Sequence, residues 1–290
     1  MPTSKRKRTH HFGRAPRAFN PRIPHYSALA AGITLPAPPA AIDYTSNMPD
    51  DFGMMLNDNL GDCTCAAYYH ARQVWTFQAQ GGEVTEPDDD VLDLYIEGCG
   101  YDPDVPGPGP GGNEQAVLTY LLQSGAPVGA DGSSRDNILA FVEVDSRNVD
   151  DVKRTIYDCG VAYIGFQVPS DVNFDNPVWD YDPATPMTND GHAVVLAGYD
   201  ADGAIVISWG KRFRMTWSFV TNVVDEVYAI ADGAWIESGG NTPAGMSLAQ
   251  LEAQMQALRS ANVGASYAFQ SKRSEARYAN RPVPNRPKRK

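Results

Sequence analysis

The apolar pattern of this chain changes period once, and that change restricts the folds open to it. Cys63 to Gln80 places Ala66, Ala67, Val74 and Phe77 on one helical face and stops at Gly81-Gly82. Pro87 to Ile96, Asn113 to Ser124 and Asn148 to Tyr157 are predicted as further helices, the last with Asn148 as N-cap before Asp150 and Asp151. Beyond them the signal turns to short β-rich runs at Val161 to Phe166, Ala193 to Tyr199, Ala204 to Trp209 and Val227 to Ala231, punctuated by Asp-Gly and Gly-Tyr-Asp turns. Helices first and strands second is the order of a segregated α+β fold, not of an alternating parallel one. Pro103 to Gly112 is predicted as a loop, and its alternating prolines remove the N–H donors a phosphate-binding loop needs.

Charge divides the 290 residues into three parts. Residues 1 to 26 hold seven Lys/Arg and no acid, and residues 271 to 290 hold eight with Glu275 as the only acid. The stretch between carries nine basic and 34 acidic residues, a net of −25 against −11 for the whole chain. The expected organisation is a proline-rich basic arm over 1 to 41, a globular body over 42 to 238, and over 239 to 290 a linker, an amphipathic helix opened by Ser247 to Gln250, and a second basic arm. Arms of this sign can fold onto their own acidic body or reach an acidic neighbour. Their extended character is expected to favour docking on other chains in a homo- or hetero-assembly. The body would repel a phosphate backbone, which argues against nucleic acid as the partner. No run approaches the ~18 continuous apolar residues of a membrane span, and Lys5 to Arg8 is not followed by the apolar core of a signal peptide. Cys63, Cys65, Cys99 and Cys159 form neither a zinc spacing nor a disulfide framework, so a reducing compartment is expected. Asp88 to Asp90 read as a solvated helix N-terminus rather than a metal site.

Leu60-Gly61-Asp62-Cys63-Thr64 sets a cysteine just after a glycine turn and at the start of a predicted helix, where unpaired amides and the helix dipole favour the thiolate. A histidine, His192, stands far downstream in Asn189-Asp190-Gly191-His192-Ala193-Val194. A thiol and a distant imidazole are the pair a fold brings together for nucleophilic catalysis.

Asn57 to Cys65 resembles the nucleophile motif of papain-like cysteine peptidases, in particular their bacterial and phage-type variants, which reads Gln-Gly-x-Leu-Gly-Ser-Cys-Thr-Ala. Gly98-Cys99-Gly100, Gly111-Gly112, Gly191-His192 with Gly198-Tyr199, and Ser208-Trp209-Gly210 resemble later parts of the same family, and the likeness runs from about Ile42 to Trp235. It implies a helical half carrying Cys63 and an antiparallel β half carrying His192, facing each other across a cleft. It also implies that Asn57, in the place of the family's glutamine, joins the Cys63 backbone N–H in holding the oxyanion. The family's asparagine that fixes the imidazole falls at Ile207, which has nothing to offer it. Ser208 can substitute only if it shares a face with His192, and strand alternation is expected to turn it away. Restoring asparagine at 207 is then expected to raise reactivity by ~10-fold.

Two functions follow. One is a thiol peptidase acting on peptides or proteins through Cys63 and His192, with no cofactor and no metal. The other is a catalytically degenerate structural or binding component of a phage particle or similar assembly, docked by its arms. The expected setting is a bacterial host cytoplasm or a phage virion.

Overall fold

Helix α1 (Cys63–Gln80) is the axis of the molecule. The sequence marks one buried face, but the computed structural model buries every residue from Cys63 to Thr76. A helix enclosed on all sides must satisfy its polar groups internally. His70 Nε2 meets the Gly53 carbonyl at 3.1 Å, Gln73 donates to the Phe52 carbonyl at 3.1 Å, and Arg72 pairs with Glu86 at 3.0 Å and with Asp136. The structure describes residues 10–18, 20, 23–26, 37–129, 134–236, 240–245 and 247. The helix expected after Ser247 and the C-terminal arm lie outside them.

Helices α2 (Asp88–Cys99), α3 (Glu114–Gln123) and α4 (Val149–Cys159) follow α1 as the pattern predicts, and Asn113 and Asn148 cap the latter two through their side chains. The main sheet takes β1 (Ile42–Asp43), β4 (Ile138–Glu143), β5 (Ala162–Pro169), β6 (Val178–Trp179), β7 (Met187–Tyr199), β8 (Gly203–Ser208), β9 (Lys211–Thr216) and β10 (Val224–Asp232). Its order is β4-β10-β5-β7-β8-β9-β6, with β1 added to β7, and all pairings except β6 with β9 are antiparallel. β2 (Ala126–Val128) and β3 (Ser134–Asp136) form a separate ribbon, and a fifth helix among the described residues, α5 (Trp217–Val223), joins β9 to β10. Helix α1 packs on β7, with Cys63 at its start near the Ala193 backbone, so the fold brings the helical half to the centre of the β half. Among the described residues no helix is long and apolar enough to cross a membrane.

Candidate active site

Cys63 is the first residue of α1, and the backbone of Ala193 on β7 and of Gly13 in the N-terminal segment lies close enough to its sulfur to favour the thiolate. The cysteine therefore sits against the residue next to His192, although 129 residues separate the pair in sequence. His192 is buried, and Trp209 lies flat on its ring with centroids 4.2 Å apart and planes 9° from parallel. Ser208 Oγ meets His192 Nε2 at 2.8 Å, while Nδ1 has no hydrogen-bond partner. A proton on Nε2 donated to the serine leaves the Nδ1 lone pair available as a base.

The register of β7 and β8 overturns the expectation for Ile207 and Ser208. Val195 pairs directly with Ile207. Residues directly opposite in a pair point to the same face, so Ile207 shares a face with Val195 and Ala193, while Ser208 shares one with Val194 and His192. Ile207 does not face the imidazole at all, and its side chain is wholly buried in the core. Ser208 faces His192 and bonds it. The turn that follows, Trp209-Gly210, joins paired residues Ser208 and Lys211 with positive φ at both positions, 46° and 72°. Such a two-residue turn suits glycine and asparagine; tryptophan there is strained, and its indole lies over His192.

Asn57 is buried beside Cys63, but its amide nitrogen donates to the Leu60 carbonyl at 3.0 Å and to Asp62 Oδ1 at 3.1 Å. Both donors are thus engaged in shaping the turn before α1, and the oxyanion role expected of Asn57 requires one of them to be released. Asp62 itself is buried, and its carboxyl is pushed well above the usual range by that burial.

Sequence reasoning missed what fills the cleft. Residues His11 to Ala15 of the N-terminal arm, expected to reach other chains, run between the two halves of their own body. Gly13 and Arg14 donate to the Gly191 carbonyl at 3.2 and 3.0 Å, Ala15 donates to the Gly112 carbonyl at 2.8 Å, and Gly112 donates to the Gly13 carbonyl at 2.7 Å. The Gly112 wall is the end of the Pro-Gly loop, and the bridge between Arg14 and Gly112 is parallel. Phe12 packs edge-on against His192 and Trp209, at 5.7 and 5.9 Å. Gly13 passes so close to Gly61 that a Cβ on it would collide with the Gly61 carbonyl. Arg14 is anchored by Glu114, Asp225 and Glu226, and Arg17 by Glu143. Charge is the physical reason over the described part of the arm: Arg14 and Arg17 meet acidic partners within their own chain. Beyond the arm, a cavity of about 370 Å³ continues past Trp209 between Met54 and Phe213.

Under this cover Cys63 and His192 are both neutral. Burial pushes the Cys63 thiol up to about 12, overriding the helix N-terminus that favours the thiolate. Burial also lowers His192 to about 3, with His10 and His70 acting in the same direction. An imidazole depressed when covered and near 6.5 when exposed makes closure dependent on pH. Its contribution is complete above about pH 6.5 and weakens as pH falls toward 3, by about tenfold per unit, because only the open cleft takes up the proton. Amide-exchange protection of Gly13, Arg14 and Ala15, corrected for intrinsic rates, is therefore expected to fall about 50-fold between pH 6.5 and 4.5. Protection constant over that range would show that His192 is not uncovered when the arm moves.

The comparisons agree on the fold. No family model matches the sequence, and no curated protein matches it. Among solved structures, the chain is similar to xylellain, a cysteine protease from Xylella fastidiosa, at 17% identity and a TM-score of 0.57, covering 80% of this chain and 99% of that one. It is also similar to digestive procathepsin L 3 of Tenebrio molitor larval midgut, at 14% identity and a TM-score of 0.53, covering 76% of each. The protein has a papain-like α+β fold.

Proposed function

We propose that this protein is a cysteine peptidase kept latent by its own N-terminal segment. The observation that carries the reading is the placement of Cys63, at the start of a buried helix, against the strand that holds His192 with Nε2 tied to Ser208 and Nδ1 left free. In the open cleft Nδ1 takes the Cys63 proton and the sulfur attacks a peptide carbonyl. The Cys63 backbone N–H at the helix start stabilises the oxyanion, and the imidazolium then protonates the departing amine. Water hydrolyses the thioester, with His192 again the base. Trp209 keeps the imidazole plane fixed and shields the Ser208 contact from water. The segment now in the cleft lies where a bound peptide would lie, which gives the latent state its physical basis.

The reading of a catalytically silent assembly component drew its support from Ile207 in the orienting position. With Ile207 on the opposite face, that support is gone. The test is alkylation by an epoxide or vinyl-sulfone thiol inhibitor followed by mapping of the modified residue. Cys63 is expected to react in preference to Cys65, Cys99 and Cys159, and His192→Ala is expected to slow its modification by about 100-fold or more. Modification of the other cysteines at equal rates, or indifference to His192→Ala, would sink the proposal.

A further inference from the structure

The pocket that holds Arg14 is deeper and more acidic than the anchoring of a flexible arm requires. Glu114 and Glu226 are fully buried, whereas Asp225 is 41% exposed at the rim. Arg14 Nε donates to Glu114 Oε2 at 2.6 Å, its two terminal nitrogens donate to Asp225 at 2.5 and 3.3 Å, and Nη2 also donates to Glu226. Tyr228 donates its hydroxyl to Glu226 Oε1 at 2.6 Å and holds that carboxylate in place. The second oxygen of Glu114 is buried with no partner, so the pocket has acceptor capacity beyond what the arm uses.

Room for the guanidinium is built into the sheet. β5 carries large buried side chains at Tyr163, Ile164 and Phe166, but Gly165 lies under the pocket. A Cβ at Gly165 would run into both the Glu114 carboxylate and the Arg14 guanidinium. Two walls of the pocket, α3 and β10, belong to different parts of the fold, yet their acids converge on one point. Among the described residues Arg14 is the one cation paired with any of the three. When the arm leaves, two buried carboxylates lose their cation, and a chain entering the cleft is favoured if it returns one.

The pocket also has a fixed place relative to the thiol. Gly13 lies against the Gly61 backbone, two residues before Cys63, and Arg14 is the next residue. Gly112 and Gly191 present the backbone groups that hold the arm extended on either side, and they offer the same groups to any extended peptide. We infer that Glu114, Asp225 and Glu226 form a specificity pocket that selects substrates carrying an arginine one or two residues from the bond attacked by Cys63. The inference rests on the peptidase reading above and adds the substrate class to it. Arginine is preferred to lysine because the carboxylates are spread around a planar fork, which a single ammonium cannot match.

The test uses the full chain and a pair of peptidyl vinyl sulfones that are identical except for arginine or leucine at the residue facing the pocket. Both probes meet the same open cleft, so the ratio of their rates at Cys63 does not depend on how often the arm opens. Cys63 is expected to be modified roughly 10- to 100-fold faster by the arginine probe, the range of a charged hydrogen-bonded contact. The preference is expected to collapse in Glu226→Gln and to shrink in Asp225→Asn, the second variant lying at the rim where folding is least at risk. Equal rates, or a faster leucine probe, would overturn the pocket while leaving the thiol reading standing. Failure of both probes while iodoacetamide still modifies Cys63 would also overturn the pocket alone. A Cys63 inert to all three reagents would overturn both readings, and an arginine preference unchanged in both variants would remove these carboxylates from the assignment.

Discussion

Arg14→Ala is expected to raise the rate of Cys63 alkylation by on the order of 100- to 1000-fold. In the closed state a thiol reagent finds a cysteine that is 1% exposed, with both its thiol and the His192 imidazole neutral. Reaction then proceeds through the fraction of molecules in which the arm has left, and the observed rate scales with that fraction. Breaking a buried ion pair by removing one partner is worth about 3–5 kcal/mol, and here the loss falls on the closed state, because in the open state the carboxylates have already parted from Arg14. The gain in rate levels off once the arm is open most of the time. Gly13→Ala offers a second route to the same result without touching the acidic pocket. A methyl group there meets the Gly61 backbone, which has no flexible end to move aside, so the segment cannot seat. Both variants should retain cooperative unfolding of the body. Alkylation rates unchanged in both, measured by intact mass over time, would show that the segment does not control access to the thiol.

Much of this site is local in sequence, and that part was legible. A cysteine at a glycine-led helix start, and a histidine in a small-residue strand, are patterns of a few consecutive residues, and the helices from Cys63, Asp88, Glu114 and Val149 follow from apolar spacing and capping. Strand β9 was missed because Lys211, Arg212 and Arg214 interrupt its apolar residues with cations that serve other parts of the fold. Arg212 donates to the carbonyls of Thr45 and Met48 and to Asp50, and Arg214 pairs with Asp200. Helix α5 has no helical signal of its own, since Trp217, Phe219, Val220 and Val223 are aromatic or β-branched; it forms because Thr216 caps it, accepting from the Phe219 amide at 3.1 Å, and because its apolar side packs on the sheet.

The course of the arm could not be read in the same way. The partners of Arg14 lie 100, 211 and 212 residues away, and no local pattern marks Glu114, Asp225 and Glu226 as one pocket. The net charge says that basic arms seek acid. Only the fold says which acid, and the nearest was in the same chain.

The same limit governs the residue that orients His192, and it reverses the expected result at position 207. Matching the motif letter for letter puts asparagine's counterpart at Ile207, and replacing it by asparagine then looks like a repair. The pairing of Val195 with Ile207 shows that an amide at 207 would enter the core instead of the cleft. Ile207→Asn removes a fully buried aliphatic side chain and buries a polar group without a partner, two losses that together amount to about 4 kcal/mol. For a domain of this size the midpoint of thermal unfolding is expected to fall by roughly 8–16 °C, with no gain in thiol reactivity at temperatures where the variant is folded. Ser208→Ala is expected to do the opposite. Its side chain is small, so the fold should hold, but His192 Nε2 loses its 2.8 Å partner and the preferred tautomer with it. Alkylation of Cys63 in an arm-released background should slow by about 10-fold or more, and Ser208→Thr, which keeps the hydroxyl, should restore part of the loss. A thermally intact Ile207→Asn variant with faster alkylation, or a Ser208→Ala variant that reacts at the parent rate, would mean that the imidazole is held by the other face of the strand.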